Sequence, residues 1–263
     1  MSVLLFVPGD RPERFAKAVA SGADAAILDL EDAVAPDRKE TARAAVRDAL
    51  QAGLNAYVRI NPPATEAGRA DLAMLAGLRP AAVMVPKAGS ERDVEAVRRA
   101  LPGAAVVALI ETVEGLRHAN AVAAATGVLA LAFGAYDLCA ELGARPVPEV
   151  LAPLRSQVVV AAREAGVAAY DSPFAALEDE AGLAADARRA LDFGFDGKLA
   201  IHPKQVSPIR AIFTPSAEDL ERARAIVRAA ERGGVAVIDG AMVDAPMFAA
   251  ARRVLARAAE EAR

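Results

Sequence analysis

Charged residues recur in this chain immediately after short apolar runs, where a strand would hand over to a loop. The endings are Pro8-Gly9-Asp10-Arg11, Asp29-Leu30-Glu31-Asp32, Arg59-Ile60-Asn61, Pro86-Lys87, Glu111-Thr112, Gly134-Ala135-Tyr136-Asp137, Asp171-Ser172 and His202-Pro203-Lys204. Acidic side chains that converge are costly unless a cation sits among them, so the set points to a divalent metal. The chain has one cysteine, Cys139, and two histidines, His118 and His202. That leaves too few soft ligands for a zinc site and favours a hard, oxygen-bound ion. Glu111 and Asp137 are the candidate Mg²⁺ ligands. Two carboxylates leave octahedral positions for water or for the oxygens of a hydroxy or oxo acid. Glu31 and Asp32 would then hold metal-bound water. The plainer alternative is that Glu111 and Asp137 open the helices that follow them.

Arg59 closes an otherwise apolar run and needs an anionic partner, either a substrate carboxylate or developing enolate oxygen, or else Glu31 or Asp29 in a structural pair. Arg11 follows a Pro-Gly-Asp turn and could contact an acid group or phosphate at the rim, or be a solvated loop charge. Lys87 is one of five lysines, with Lys17, Lys39, Lys198 and Lys204. A Schiff base there would not also need the carboxylates, so a phosphate contact or an ion pair is the expected role. His202 is expected to hydrogen-bond locally, and Cys139 to be a small buried residue.

These positions demand a scaffold. Apolar runs at Val3–Val7, Ala25–Leu30, Ala56–Ile60, Ala82–Val85, Ala105–Ile110, Val128–Phe133, Val167–Tyr170 and Lys198–Ile201 alternate with Ala/Arg/Glu segments of helical period. Continuous apolar runs suit strands covered on both faces, and eight strand–helix units close a (β/α)₈ TIM barrel. An open doubly wound sheet is the runner-up, but no G-x-G-x-x-G follows the first run. Pro12 and Pro36 suit first helical turns, Ser90-Glu91-Arg92-Asp93 a cap, and Gly53, Gly77 and Gly103 helix stops. The expected division is a catalytic barrel over 1–214 and a C-terminal helical extension over 215–263. The extension comprises a helix (Ala217–Glu231), a turn-rich piece (Gly233–Pro246) and a final helix. It has too few apolar positions for its own core and should pack on the barrel or on a neighbouring subunit.

Composition narrows the function classes. The 263 residues are 54% apolar and 25% charged, with a net charge of -4, which leaves no basic footprint for nucleic acid. Roughly one residue in four is alanine and there is no tryptophan, so elements must pack closely through small side chains. Val3–Val7 is too short for a signal peptide or a membrane span, and Ala121–Ala135 reads as a helix end followed by a buried strand. A cytoplasmic protein without membrane contact is expected.

Seven motifs in order closely resemble the citrate lyase β-subunit family, which includes malyl-CoA and citramalyl-CoA lyases. They are Asp29-Leu30-Glu31-Asp32-Ala33-Val34, Arg59-Ile60-Asn61, Pro86-Lys87, Ile110-Glu111-Thr112, Phe133 to Leu138, Gly194 to Pro203, and Met242-Val243-Asp244-Ala245-Pro246. The resemblance runs from residue 3 to about residue 248. It implies a Mg²⁺-dependent TIM barrel that makes or breaks a carbon–carbon bond beside a thioester carbonyl. Glu111 and Asp137 fall on the family's metal ligands, Arg59 on its substrate-binding arginine, and Glu31 and Asp32 on the acidic pair near the metal. Asp244 falls on an aspartate that a neighbouring subunit delivers as acid or base, and such proteins are similar in being trimers or multiples of trimers.

The activity this implies is cleavage or formation of a citryl-, malyl- or citramalyl-type thioester, giving an acetyl thioester and a 2-oxo acid. Two other functions stay open: a partner-dependent, non-catalytic subunit that binds an oxo acid and Mg²⁺, and a class II aldolase acting on 4-hydroxy-2-oxo acids.

Overall fold

The computed structural model describes residues 3–230, 235–238 and 241–261. Eight parallel strands close into a barrel: β1 Val3–Pro8, β2 Ala25–Asp29, β3 Tyr57–Arg59, β4 Ala82–Val85, β5 Val106–Ile110, β6 Val128–Phe133, β7 Ala168–Asp171 and β8 Gly197–Ala200. Each lies within a residue or so of its apolar run. Closure comes from β1, which pairs with β2 on one side and β8 on the other. The chain is therefore a (β/α)₈ TIM barrel, and an open sheet is ruled out.

Alternation along each strand divides its side chains between two cores. Leu4, Ile27, Tyr57, Met84, Val107, Leu109, Ala130, Ala132, Tyr170 and Leu199 fill the barrel's interior, where the alanines leave room for the two tyrosines. The residues between them, such as Leu5, Leu28, Val58, Val83, Ala108 and Leu131, face the helices in a second, larger cluster. Both faces are dry, which is why the strands read as unbroken apolar runs.

Local signals set the helices. Pro12 and Pro36 open short 3-10 turns, and Asp93 accepts from the Ser90 N–H at 2.9 Å ahead of helix Glu91–Ala100. Gly53, Gly77 and Gly103 adopt φ of 87°, 84° and 85°, in the left-handed region that stops a helix.

One strand-end charge goes elsewhere than the sequence suggests. Asp171 is not part of the barrel mouth. It bonds through both oxygens to Arg155 of helix Pro148–Ala165, at 2.9 Å each, and accepts from Lys198 at 2.6 Å. Asp186 of helix Glu180–Phe193 accepts from Arg155 and Lys198 at 2.8 and 2.6 Å. The reason is parity: Tyr170 and Leu199 point inward, so their neighbours Asp171 and Lys198 point to the helices.

The extension comprises helix Ala217–Ala230, a hairpin of β9 Ala236–Ile238 with β10 Ala241–Val243, and helix Ala245–Glu261. Contrary to the coreless tail expected, Ala223, Ile226, Val243 and Ala251 form a small cluster of their own. Residues 233, 234, 239 and 240 of the expected turn-rich piece, with 231 and 232 before it, lie outside the described residues. Val235, Val237 and Met242 remain exposed, and no described helix is long and apolar enough to cross a membrane.

The four-member ion cluster lies wholly inside the helix layer, so removing one partner strands a buried charge. Lys198→Met should lower unfolding stability by about 3–5 kcal/mol in urea titration, while Lys204→Met, at an exposed surface pair, should change it by less than about 1 kcal/mol.

Candidate active site

The site begins with Asp29, fully buried at the end of β2 and in register with Arg59 on β3. Its Oδ1 accepts from Arg59 Nε at 2.7 Å and from the Glu31 N–H at 2.9 Å. Its Oδ2 accepts from Arg59 Nη2 at 2.5 Å and from the Ala33 N–H at 3.2 Å. One carboxylate thus orients the arginine and folds the loop that carries Glu31. Phe6 of β1 lies under the guanidinium, 4.6 Å from ring centre to Cζ. Burial alone would lower the arginine's pKa, but the Asp29 hydrogen bonds and the charges of Asp29, Glu31 and Glu111 raise it, so it stays cationic. Of the partners open to Arg59 from sequence, it takes both Asp29 and Glu31.

Glu31 is buried between two cations. Lys87 Nζ donates to its Oε1. Arg59 Nη1 lies 3.0 Å from its Oε2 but off the line of a hydrogen bond, which leaves that oxygen buried and unbonded. Burial raises the Glu31 pKa and Asp32 adds to the rise, against Arg59 and Lys87. Lys87 also turns the chain with φ 49°, a left-handed value rare for a residue with a Cβ. In that conformation its N–H donates to Glu111 Oε1 at 2.9 Å while its ammonium holds Glu31.

Glu111, 2% exposed, is pushed up to about 8 by burial first, then by the charges of Glu31 and Asp137, against the Lys87 N–H and Arg59. It lies flat on Gly134, where a Cβ would stand 2.4 Å from the Glu111 Cβ and 2.6 Å from its Oε2. Only glycine permits that approach. Asp137 is exposed in the first turn of helix Ala135–Leu142, whose leading amide, Ala135 N–H, donates to Ser172 Oγ at 3.1 Å.

The mouth therefore brings together Glu31, Arg59, Lys87, Glu111 and Asp137. Asp32 is at its exposed edge, 3.8 Å from Lys87. Arg11 is exposed on the loop after β1, where the neighbouring Asp10 pairs with Arg38 at 2.7 Å. His202 Nδ1 accepts from the Lys204 N–H at 3.1 Å, a local cap, and Cys139 is buried. Asp244 directly precedes the last helix, Ala245–Glu261, in the C-terminal extension. Among the described residues no three His, Cys, Asp or Glu side chains enclose a cation by themselves.

Sequence reasoning missed a second layer. Lys39 Nζ donates to Leu30 O, Glu31 O and Asn61 Oδ1 at 2.7, 2.7 and 2.9 Å. Buried Asp71 accepts from Asn61 N, Asn61 Nδ2 and Arg43 Nη1 at 2.7, 2.6 and 2.9 Å. The available signal was a lysine placed seven residues after Asp32, at the start of a helix where a cation opposes the dipole.

Known proteins share this arrangement of sequence and fold. The family model described as HpcH/HpaI aldolase/citrate lyase matches residues 2–203. A protein of Cereibacter sphaeroides named (3S)-malyl-CoA thioesterase is 37% identical, over 97% of this chain and 93% of its own length. A citrate lyase subunit beta-like protein of Mycobacterium tuberculosis is 40% identical, over 97% of this chain and 95% of its own. The crystal structure of protein CitE from Mycobacterium tuberculosis in complex with magnesium, acetoacetate and coenzyme A superposes with a TM-score of 0.88 at 39% identity, covering 98% of each chain. By its motifs, its barrel and these relatives, the chain belongs to the HpcH/HpaI aldolase/citrate lyase family.

Proposed function

We propose that this chain is a Mg²⁺-dependent carbon–carbon lyase that splits a 3-hydroxyacyl thioester of the citryl, malyl or citramalyl type into an acetyl thioester and a 2-oxo acid, or joins them. The observation that carries this reading is the convergence of Glu31, Glu111 and Asp137 on one mouth, with Glu111 pushed up to about 8 by burial first and then by those two carboxylate neighbours. The residues present fit a magnesium ion. Glu111 keeps Oε2 clear of the Lys87 N–H, Asp137 is exposed to the same mouth, and the unbonded Glu31 Oε2 can accept from ion-bound water. Two carboxylates with water and substrate completing the shell is the usual magnesium arrangement. When bound, the ion supplies Lewis-acid polarisation of the hydroxy or oxo acid's oxygens.

The protein's own groups do the rest. Arg59, held rigid by Asp29, offers a fixed cation for the thioester oxygen as the carbon–carbon electron pair moves into the enolate. Glu31 and Lys87 keep the acid end's surroundings ordered without moving between steps. Asp244, delivered from a neighbouring copy in a homotrimer, gives the enolate carbon its proton on cleavage and removes it on condensation. Beside β1 a cleft of about 290 Å³, lined by Leu5, Phe6, Arg14, Lys17 and His202, has the cations and apolar wall that suit the carrier of the thioester. Arg11 on the adjoining loop is placed for the same carrier. Hydrolysis of the thioester is the second reading, favoured by the name of the Cereibacter sphaeroides relative.

A panel of acyl-CoA thioesters and free 4-hydroxy-2-oxo acids, followed by mass spectrometry with Mg²⁺ present, separates the readings. Acetyl-CoA and an oxo acid are expected; free CoA with an intact hydroxy acid would replace the lyase by a thioesterase, and turnover of the free acids alone by an aldolase. Asp244→Asn should keep Mg²⁺ binding by calorimetry and lower kcat by roughly 100-fold or more, and an unchanged kcat would remove Asp244 from the mechanism.

Glu111 also sets a pH dependence. Its ordinary pKa is 4.5 and its folded value about 8, so between these the metal-free fold holds a proton that the unfolded chain has released. The metal-free protein therefore loses stability as pH rises through that window. Glu111→Gln should abolish this loss and make the metal-free variant on the order of 5 kcal/mol more stable than wild type well above pH ~8, while Mg²⁺ stabilises wild type alone.

A further inference from the structure

Lys39 takes no part in the chemistry above, yet its ammonium is fully committed. It has three protons and three acceptors: Leu30 O and Glu31 O at 2.7 Å each, and Asn61 Oδ1 at 2.9 Å. It sits at the first residue of helix Lys39–Gln51, the end at which a cation is disfavoured, so helix formation does not account for it. Two of its three acceptors are the carbonyls that follow β2.

The loop is pinned from both sides. Asp29 holds the N–H groups of Glu31 and Ala33 from within the barrel, at 2.9 and 3.2 Å. Lys39 holds the carbonyls of Leu30 and Glu31 from the helix layer. Asn61 adds a second donor to Leu30 O at 2.8 Å, and is itself oriented by Asp71, which Arg43 anchors. The peptide planes before and after Glu31 are thereby fixed, and with them the direction in which its side chain leaves the backbone.

We propose that Lys39 is the positioning residue for Glu31, a three-pronged strut that aims the buried carboxylate at Arg59 and Lys87. This rests on the reading of that mouth as a magnesium and oxo-acid site only for its functional consequence. The geometric claim stands apart from it.

The test compares Lys39→Met with Val97→Ala, a buried truncation on helix Glu91–Ala100 that lowers stability by itself. In the metal-free protein, hydrogen exchange of the Glu31, Ala33 and Val34 amides should quicken at least tenfold in Lys39→Met relative to Val97→Ala. Equal exchange overturns the proposal. Mg²⁺ affinity by calorimetry should fall at least tenfold in Lys39→Met and stay at the wild-type value in Val97→Ala; retained affinity with a loosened loop overturns the positioning role. A wild-type protein that takes up no Mg²⁺ refutes the magnesium reading instead, and exchange then decides the strut alone. Lys39→Gln, which keeps two donors, serves if the methionine variant does not fold, with exchange expected between the two.

Discussion

Everything at the mouth of this barrel hangs on the two-point bond between Asp29 and Arg59. The pair lies in register on adjacent strands, and both members are nearly free of water. A desolvated ion pair is tolerable only when its remaining lone pairs and protons are engaged. Here each Asp29 oxygen serves Arg59 and one loop N–H, so the geometry of the guanidinium and that of the Glu31 loop are set by one carboxylate. The register of two strands thereby becomes the position of a cation and an anion at the site. Phe6 beneath the guanidinium closes the remaining face.

From that joint outward, the site accumulates more negative charge than the described cations neutralise. Arg59 and Lys87 face Glu31, Glu111 and Asp137, and the imbalance falls on Glu111, the most buried of those three, which accepts a single hydrogen bond from a backbone N–H. The close approach to Gly134 means the side chain cannot relieve it by moving toward β6. Lys87 pins two carboxylates at once because its backbone is turned into the left-handed region, a conformational cost concentrated where two strand ends must be bridged.

The barrel was legible in the sequence because strands dry on both faces leave uninterrupted apolar runs, and glycines at φ near 85° mark where helices stop. Glu31, Arg59, Lys87 and Glu111 were legible for a related reason, as charges that end such runs. What spacing alone did not carry was which face a strand-end residue takes. Asp171 looks like Asp29 in the sequence, yet it follows an inward Tyr170 and belongs to the helix layer with Lys198. Counting parity from the aromatic residues would have separated them. Asp71 was invisible for another reason: it contacts the site through helix packing, which no local pattern encodes, and Lys39 left only the indirect mark of a cation at a helix start.

The same alternation allots the mouth one inward position per strand. Followed round the barrel in register with the inner core, these are Pro8, Asp29, Arg59, Pro86, Glu111, Gly134, Ser172 and Ile201. Charge enters this ring from β2, β3 and β5, with Lys87 and Asp137 reaching in from the loops after β4 and β6. The arc from β7 through β8 to β1 contributes Ser172, Ile201 and Pro8, which carry none. This ring of inward positions is thus charged on one side only. With a divalent cation held by Glu111 and Asp137, the acid end of a guest would sit over the β2–β6 arc, and its other end would leave over β8 and β1, past the cleft that Arg14 and Lys17 line.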